Sequence, residues 1–249
     1  MKRYLEGKNA LLTGAAKGIG EETAYCFAEY GIKSLALIDR DAEGLNSVRT
    51  RIHDKYPEVK ILIFDSDITN EKECIKIMDE VVRNFLKLDI LVNIAGVSRF
   101  SPFDELALDD WNDMVAINLT GTFLYCREAF RHMKRNGEGR IINIGSVAPY
   151  VGGLTVGGHY VASKGAVISL TKHIAKVGAP YNVLCNCVAP GTIETSMIAN
   201  YSKDVSHIPL GRRGAPRDVA NAILFFASEL SSFVTGQCLG VNGGIFFQG

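Results

Sequence analysis

Tyr160 and Lys164 stand four residues apart, a spacing that on a helix puts a phenol and an ammonium on one face. A cation beside a phenol favours the phenolate, lowering its pKa from a reference of about 10 and making the hydroxyl a proton donor and acceptor usable near neutral pH. A Tyr-x-x-x-Lys pair alone is equally what two solvated side chains on an exposed helix leave behind. Its companions narrow the choice. Upstream lies Thr13-Gly14-Ala15-Ala16-Lys17-Gly18-Ile19-Gly20, a glycine-rich run of the kind that lets backbone amides approach a pyrophosphate. Asn93-Ile94-Ala95-Gly96, Asn118 and Ser146 fall between the two, and Pro190-Gly191 follows them. Ser146, at a strand end, is placed to donate to a substrate oxygen on which charge grows, though serine there is also an ordinary turn former.

These residues need a scaffold, and the hydrophobic pattern supplies one. Short runs rich in Val, Ile and Leu read as strands at Asn9–Thr13, Ser34–Asp39, Lys60–Asp65, Ile90–Ile94, Arg140–Gly145, Val183–Val188 and Cys238–Val241. Amphipathic stretches between them read as helices at Gly18–Tyr30, Ala42–Tyr56, Glu71–Phe85, Asp109–Asn136, Tyr160–Val177 and Pro216–Ser228. Asn70 before Glu71 and Glu73 reads as an N-cap with acidic residues in the first turn, Pro216 suits a first helical turn, and Gly31 and Gly137 lie just past helix ends. The alternation predicts an α/β fold: one doubly wound parallel sheet of about seven strands, helices on both faces, and a ligand crevice at the carboxyl edge of the strands. With 249 residues, 47% of them hydrophobic, and no linker, repeat or low-complexity segment, a single domain over 1–249 is expected.

Composition excludes several classes of function. The 27 basic and 27 acidic residues are spread evenly, which leaves no electrostatic footprint for nucleic acid or an anionic membrane. The first eight residues form no signal-peptide core and no apolar run is long enough to span a bilayer, so a cytoplasmic protein acting on a small molecule is expected. Six cysteines then read as reduced structural thiols, Cys185 and Cys187 pointing to one face of a strand. Five scattered histidines give no metal-ligand set, so the expected metal is none.

The glycine run follows the first strand and opens the first helix, the context a dinucleotide turn requires, with Gly14, Gly18 and Gly20 permitting a tight turn and close approach. Asp39 ends the second strand, where a carboxylate accepts from the adenosine ribose hydroxyls and repels a 2'-phosphate. That favours NAD(H). Lys17 and Arg40 are cations able to pair with such a phosphate, so NADP(H) stays open.

Taken in order, these motifs resemble the short-chain dehydrogenase/reductase family, whose glycine run has this G-x-x-x-G-x-G form, and the resemblance covers essentially the whole chain. It implies a Rossmann-type fold and hydride transfer between a nicotinamide and a secondary alcohol or ketone. Tyr160 is then the general acid/base and a cofactor contact, Lys164 its cationic neighbour and a ribose contact, Ser146 the substrate-oxygen donor, and Asn118 the helix asparagine that, with the adjacent distorted backbone, holds a water leading to the lysine. For the cofactor it implies Gly14, Lys17, Gly18, Ile19 and Gly20 at the phosphates, Asp39 and Arg40 at the ribose, and Asp67 and Ile68 at the adenine. Asn93, Ala95 and Gly96 follow the fourth strand, and Pro190, Gly191, Ile193 and Thr195 face the carboxamide. Ile94 departs from the family's N-N-A-G by replacing its second Asn, which removes one hydrogen bond.

The C-terminal pattern around Pro209–Gly214 and Gly236–Gly244 is similar to the 3-oxoacyl-acyl-carrier-protein reductase branch, and also to sugar, polyol and hydroxysteroid dehydrogenases. Specificity should come from the loops at 98–103, 147–159 and 194–207, lined by Phe100, Phe103, Tyr150, Leu154, Met197, Ile198 and Tyr201, with His159 as an exposed loop residue or, in the alternative, a substrate contact. Phe225, Phe226, Phe233, Phe246 and Phe247 are more than a solvent-facing tail tolerates, and the resemblance implies a homotetramer, or a homodimer, with a purely core role for them as the alternative. A non-catalytic NAD-binding sensor is the reading from another class, and such a module has no physical reason to keep Asn118, Ser146, Tyr160 and Lys164 together.

Overall fold

The computed structural model describes residues 2–153, 155–198 and 203–247, so Leu154 and Tyr201 lie outside the described residues. In chain order the strands are β1 (Asn9–Thr13), β2 (Ser34–Asp39), β3 (Lys60–Asp65), β4 (Ile90–Asn93), β5 (Gly139–Ile144), β6 (Val183–Pro190) and β7 (Cys238–Val241). The helices are α1 (Gly18–Glu29), α2 (Ala42–Lys55), α3 (Glu71–Phe85), α4 (Leu108–Val115), α5 (Thr122–Asn136), α6 (Ala148–Val151), α7 (Gly158–Gly178) and α8 (Pro216–Ala227).

Strands buried on both faces must be apolar at consecutive positions, and β1 is: Leu11 and Leu12 point to opposite sides of the sheet. Leu12, Leu35, Leu37 and Ile142 pack under Phe27, Leu45, Ile52, Val219, Ile223 and Phe226 of α1, α2 and α8. Leu11, Ala36, Ile38, Leu91 and Ile141 pack under Met78, Val81, Phe85, Tyr125, Met133 and Ile174 of α3, α5 and α7. Each such Leu, Ile or Phe contributes roughly 1.5–3 kcal/mol over leaving it exposed, so the two layers hold the sheet between them.

All strand pairs are parallel, in the order β3-β2-β1-β4-β5-β6-β7. The chain runs outward from β1 to β3 and then returns to lay β4 on the other side of β1, opening a crevice where the order reverses. Register levels the strand ends, with Thr13 opposite Asn93, Asn93 opposite Asn143 and Asn143 opposite Cys187. The residues that follow each strand therefore emerge along one edge.

Local signals behave as their chemistry requires. Asn70 caps α3 by accepting from the Glu73 amide at 3.2 Å, and Gly137 ends α5 in the left-handed region at φ 70°. One expectation is corrected. The stretch read as a single helix over 109–136 is α4 and α5 joined by a π-helical turn at Ala116–Gly121, which adds a residue to the turn and re-aims Asn118.

Candidate active site

The crevice is a cleft of about 1150 Å³ that reaches from Asp39 past Gly96 to Met197. Its floor begins at the turn between β1 and α1. Gly14 sits at φ 70°, and a Cβ there would stand 2.6 Å from the Ala95 backbone. Only glycine fits this position. Gly18, at φ 60°, opens α1 and presents the positive end of a 12-residue helix to the cleft together with Ile19. Gly20 lies below the lining, buried against the Gly14 carbonyl, so its part is packing α1 onto the turn.

The outer corner carries the charges expected to bear on a cofactor's ribose. The Asp39 carboxylate accepts from the Ala16 amide at 3.1 Å and from the Asp41 amide at 3.2 Å, which fixes it beside the glycine turn. Both nearby cations already face carboxylates: Arg40 meets Asp67 at 3.2 Å and Lys17 lies 4.0 Å from Asp41. Burial pushes the Asp67 carboxyl up, but hydrogen bonds from the Thr69 amide and hydroxyl and from Arg40 outweigh it and hold the group below the usual carboxylate range. Three carboxylates against two cations leave this corner net negative, with Asp67 and Ile68 on its far wall.

After β4, Ile94, Ala95 and Gly96 line the cleft, and the Ile94 and Ala95 amides donate to the Thr13 hydroxyl at 3.2 and 3.3 Å. Asn93 does not line it. That side chain is buried, donating to Asn143 Oδ1 at 2.9 Å, so the structure gives it a sheet-bracing place in contrast to the expected cofactor contact. Opposite, Pro190, Gly191, Ile193 and Thr195 form the wall beyond β6. This loop is pinned by the Glu194 amide on the Gly214 carbonyl at 2.8 Å, and the Thr195 methyl lies 3.3 Å from where a Cβ on Gly18 would stand.

The inner end joins the three polar residues. Tyr160 and Lys164 lie on successive turns of α7, and both face the cleft with Ser146, which follows β5. Ser146 is almost fully buried, and its hydroxyl accepts from the Ala148 amide at 3.0 Å. Lys164 is only 5% exposed and donates to the Ile144 carbonyl at 2.9 Å. Burial lowers its pKa from 10.5 to about 8, so an ammonium still predominates at neutral pH. Gly96 makes room for it: a Cβ there would stand 3.2 Å from Lys164 Nζ and 3.0 Å from Asn118 Oδ1.

Asn118 is fully buried beside the cleft. Its Oδ1 accepts from the Val97 amide at 2.8 Å, while its Nδ2 donates to the Val97 carbonyl at 3.0 Å and to the Ser163 hydroxyl at 3.1 Å. The π turn thus clamps the loop after β4 to α7. Asn118 is a positioning residue in this geometry.

The substrate end differs from expectation in several residues. Met197 and Ile198 line it, but Phe100 and Phe103 point into solvent at 64% and 83% exposure, and Tyr150 stacks on Phe246 with centroids 4.8 Å apart. Val151, Val156 and Ile245 supply apolar lining that sequence reading missed. His159, expected on an exposed loop, is 1% exposed at the start of α7. Among the described residues no cluster of His, Cys, Asp or Glu has metal-ligand form.

A crevice of this length, with backbone amides at one end and a Tyr-Lys-Ser set at the other, fits a dinucleotide lying extended against a small substrate. The short chain dehydrogenase family profile matches residues 8–206. This chain belongs to the short-chain dehydrogenase/reductase family. It is 40% identical to the 3-oxoacyl-(acyl-carrier-protein) reductase FabG of Aquifex aeolicus over 99% of this chain and 100% of that one. It is 38% identical to the glucose 1-dehydrogenase of Gluconobacter oxydans over 100% of this chain and 95% of the relative. Among solved structures, a 3-oxoacyl-(acyl-carrier-protein) reductase with bound NAD from Brucella melitensis superposes with a TM-score of 0.91 at 32% identity, covering 99% of this chain and 94% of that one. The short-chain dehydrogenase/reductase fold accounts for the cleft, and the chain is an oxidoreductase acting on carbonyl and hydroxyl groups with a nicotinamide dinucleotide.

Proposed function

We propose that this short-chain dehydrogenase/reductase interconverts a secondary alcohol and a ketone on an apolar acyl chain, of the 3-oxoacyl thioester type, with NAD(H) as the favoured cofactor. One observation carries the reading: Ser146, Tyr160 and Lys164 converge at one end of the cleft, with the lysine buried yet cationic at neutral pH. Gly14, Lys17, Gly18, Ile19, Asp39, Arg40, Asp67, Ile68, Ala95, Gly96, Pro190, Gly191, Ile193 and Thr195 line the remainder and are the proposed cofactor contacts. When bound, the nicotinamide supplies the hydride. Tyr160 gives its phenolic proton to the carbonyl oxygen in reduction and takes it back in oxidation, while the Lys164 ammonium stabilises the phenolate. Ser146 donates to the same oxygen and stabilises its developing charge. Asn118 holds the loop and helix that carry these groups at their working separation.

The net negative corner around Asp39 disfavours a ribose 2'-phosphate, which supports NAD(H) over NADP(H). Val151, Val156, Met197, Ile198 and Ile245 give the substrate end an apolar wall suited to an acyl chain, whereas a sugar needs polar partners along its length. We further propose a single functional domain over 1–249 and a cytoplasmic enzyme; no described helix is long and apolar enough to cross a membrane. Phe233 and Phe247, both exposed, and Leu239 on the edge strand β7 support assembly as a homotetramer. Nicotinamide absorbance followed with NADH and NADPH against short 3-oxoacyl thioesters and aldoses tests the reading. Faster thioester reduction with NADH supports it. Turnover confined to sugars, or dinucleotide binding with no turnover of any carbonyl, overturns it.

A further inference from the structure

Two of the six cysteines face each other across strands at the edge of the sheet. Cys238 opens β7, the last strand, and its register partner on β6 is Cys187. In-register residues of neighbouring parallel strands present their side chains on the same face. They lie ~4.8 Å apart, inside the 4.4–6.8 Å range of Cα separations that disulfides accept. Both thiols are free, Cys187 fully buried and Cys238 partly exposed.

The pair touches the catalytic end on two sides. Cys187 Sγ lies 2.8 Å from where a Cβ on Gly145 would stand, directly beneath the residue that joins the lysine-binding carbonyl of Ile144 to Ser146. On the other side, the Tyr150 hydroxyl favours the Cys238 thiolate. The Tyr150 ring stacks on Phe246, whose neighbour Ile245 lines the cleft.

We propose that Cys238 and Cys187 form an oxidation site, at which a hydroperoxide is reduced and a disulfide closes between β6 and β7 beneath the Ser146 turn. The Cys238 thiolate attacks the peroxide, forming an S–O bond as the O–O bond breaks, and the departing oxygen leaves as alcohol or water. Cys187 then attacks Cys238 Sγ, the S–S bond forms and the S–O bond breaks. The hydroxide released takes the Cys187 proton and leaves as water. Two thiols are oxidised by two electrons and one hydroperoxide is reduced, so atoms and electrons balance.

The chemistry of the two thiols suits these roles. The neighbouring Cys187 thiol, with help from the Tyr150 hydroxyl and the Lys172 ammonium, outweighs burial and brings Cys238 down to about 7. Burial pushes Cys26, Cys74 and Cys126 up to about 12, which leaves them inert at neutral pH. A disulfide draws Cys187 Sγ toward the edge strand and away from Gly145. Ser146 moves with the turn, and activity falls roughly tenfold to a hundredfold, the scale of a ~1 Å misplacement of a positioning group.

Hydrogen peroxide treatment of the intact protein, followed by mass spectrometry, tests the site without needing a substrate, so its failure is separate from failure of the proposed function. The expected product has lost two hydrogens, and digestion links the peptide of Cys187 to that of Cys238. Dithiothreitol restores both mass and activity. Cys238→Ser retains activity and loses none to peroxide, and Cys187→Ser leaves Cys238 as a sulfenic acid that dimedone traps. Should the Cys187 variant fail to fold, brief iodoacetamide labelling of the wild-type protein serves instead, with Cys238 expected to react ahead of the other five. An unchanged mass, a disulfide through any other cysteine, or first labelling elsewhere overturns the proposal.

Discussion

Replacing Lys164 by methionine should stabilise the protein while removing its activity. The lysine is 5% exposed, and burial lowers its pKa from 10.5 to about 8. The unfolded chain therefore binds more protons than the folded one between about pH 8 and 10.5, so this group's contribution to stability rises with pH across that window. At pH 7 a shift of this size corresponds to about 3 kcal/mol of lost stability, and by pH 9 the loss shrinks to about 2 kcal/mol. Methionine keeps most of the volume and carries no charge, but it leaves the Ile144 carbonyl without its 2.9 Å donor, a cost of about 1 kcal/mol. The net expectation at pH 7 is a gain of about 2 kcal/mol, or roughly 4–8 °C in melting temperature for a chain of this length. Calorimetry of both proteins at pH 7 and pH 9, at matched concentration, provides the assay. A variant less stable than the wild type at pH 7, or a gap that widens as pH rises, refutes the reasoning about this buried cation. Turnover should drop by at least about a hundredfold, because the phenolate loses its counter-charge.

Other substitutions test neighbouring parts. Asp39→Ala removes the carboxylate held by the Ala16 and Asp41 amides, and the ratio of kcat/KM for NADPH over NADH should rise about tenfold in steady-state assays, a change of about 1.4 kcal/mol. Ser146→Ala should leave dinucleotide affinity intact in fluorescence titration and lower kcat by about 10²–10³, the usual loss for one donor to a developing oxyanion. Asn118→Ala unpairs the half-buried Val97 amide and carbonyl and removes a partner of Ser163, so urea denaturation should show a loss of about 1–3 kcal/mol, with a lower kcat from the unclamped loop.

Much of the fold was legible because parallel strands covered on both faces are written as continuous apolar runs. Their ends are marked by residues with separate reasons to be there, Asn70 as a cap and Gly137 as a left-handed terminator. The π turn at Ala116–Gly121 was not legible, since one extra residue per turn leaves no breaker in the sequence and the apolar spacing passes through it. The pairing of Tyr160 with Lys164 could be read from spacing, as helical geometry alone aligns them, whereas Ser146 was joined to them by the order of the family's motifs. Side-chain direction could not. Asn93 and Gly20 sit one layer below the cleft, Phe100 and Phe103 turn to solvent, and His159 turns inward, all set by packing that composition does not record. Ile245 joins the substrate wall through the stack of Phe246 on Tyr150, and Cys187 meets Cys238 through strand register. Both are contacts between distant parts of the chain, and no local pattern announces them.

The most direct test of the account is Tyr160→Phe, which deletes one hydroxyl and leaves the ring in place. Single-turnover measurement of nicotinamide oxidation against a 3-oxoacyl thioester should show unchanged dinucleotide binding and a rate lower by about 10²–10⁴. A variant that oxidises the bound dinucleotide as fast as the wild type would contradict the claim that this phenol exchanges the proton.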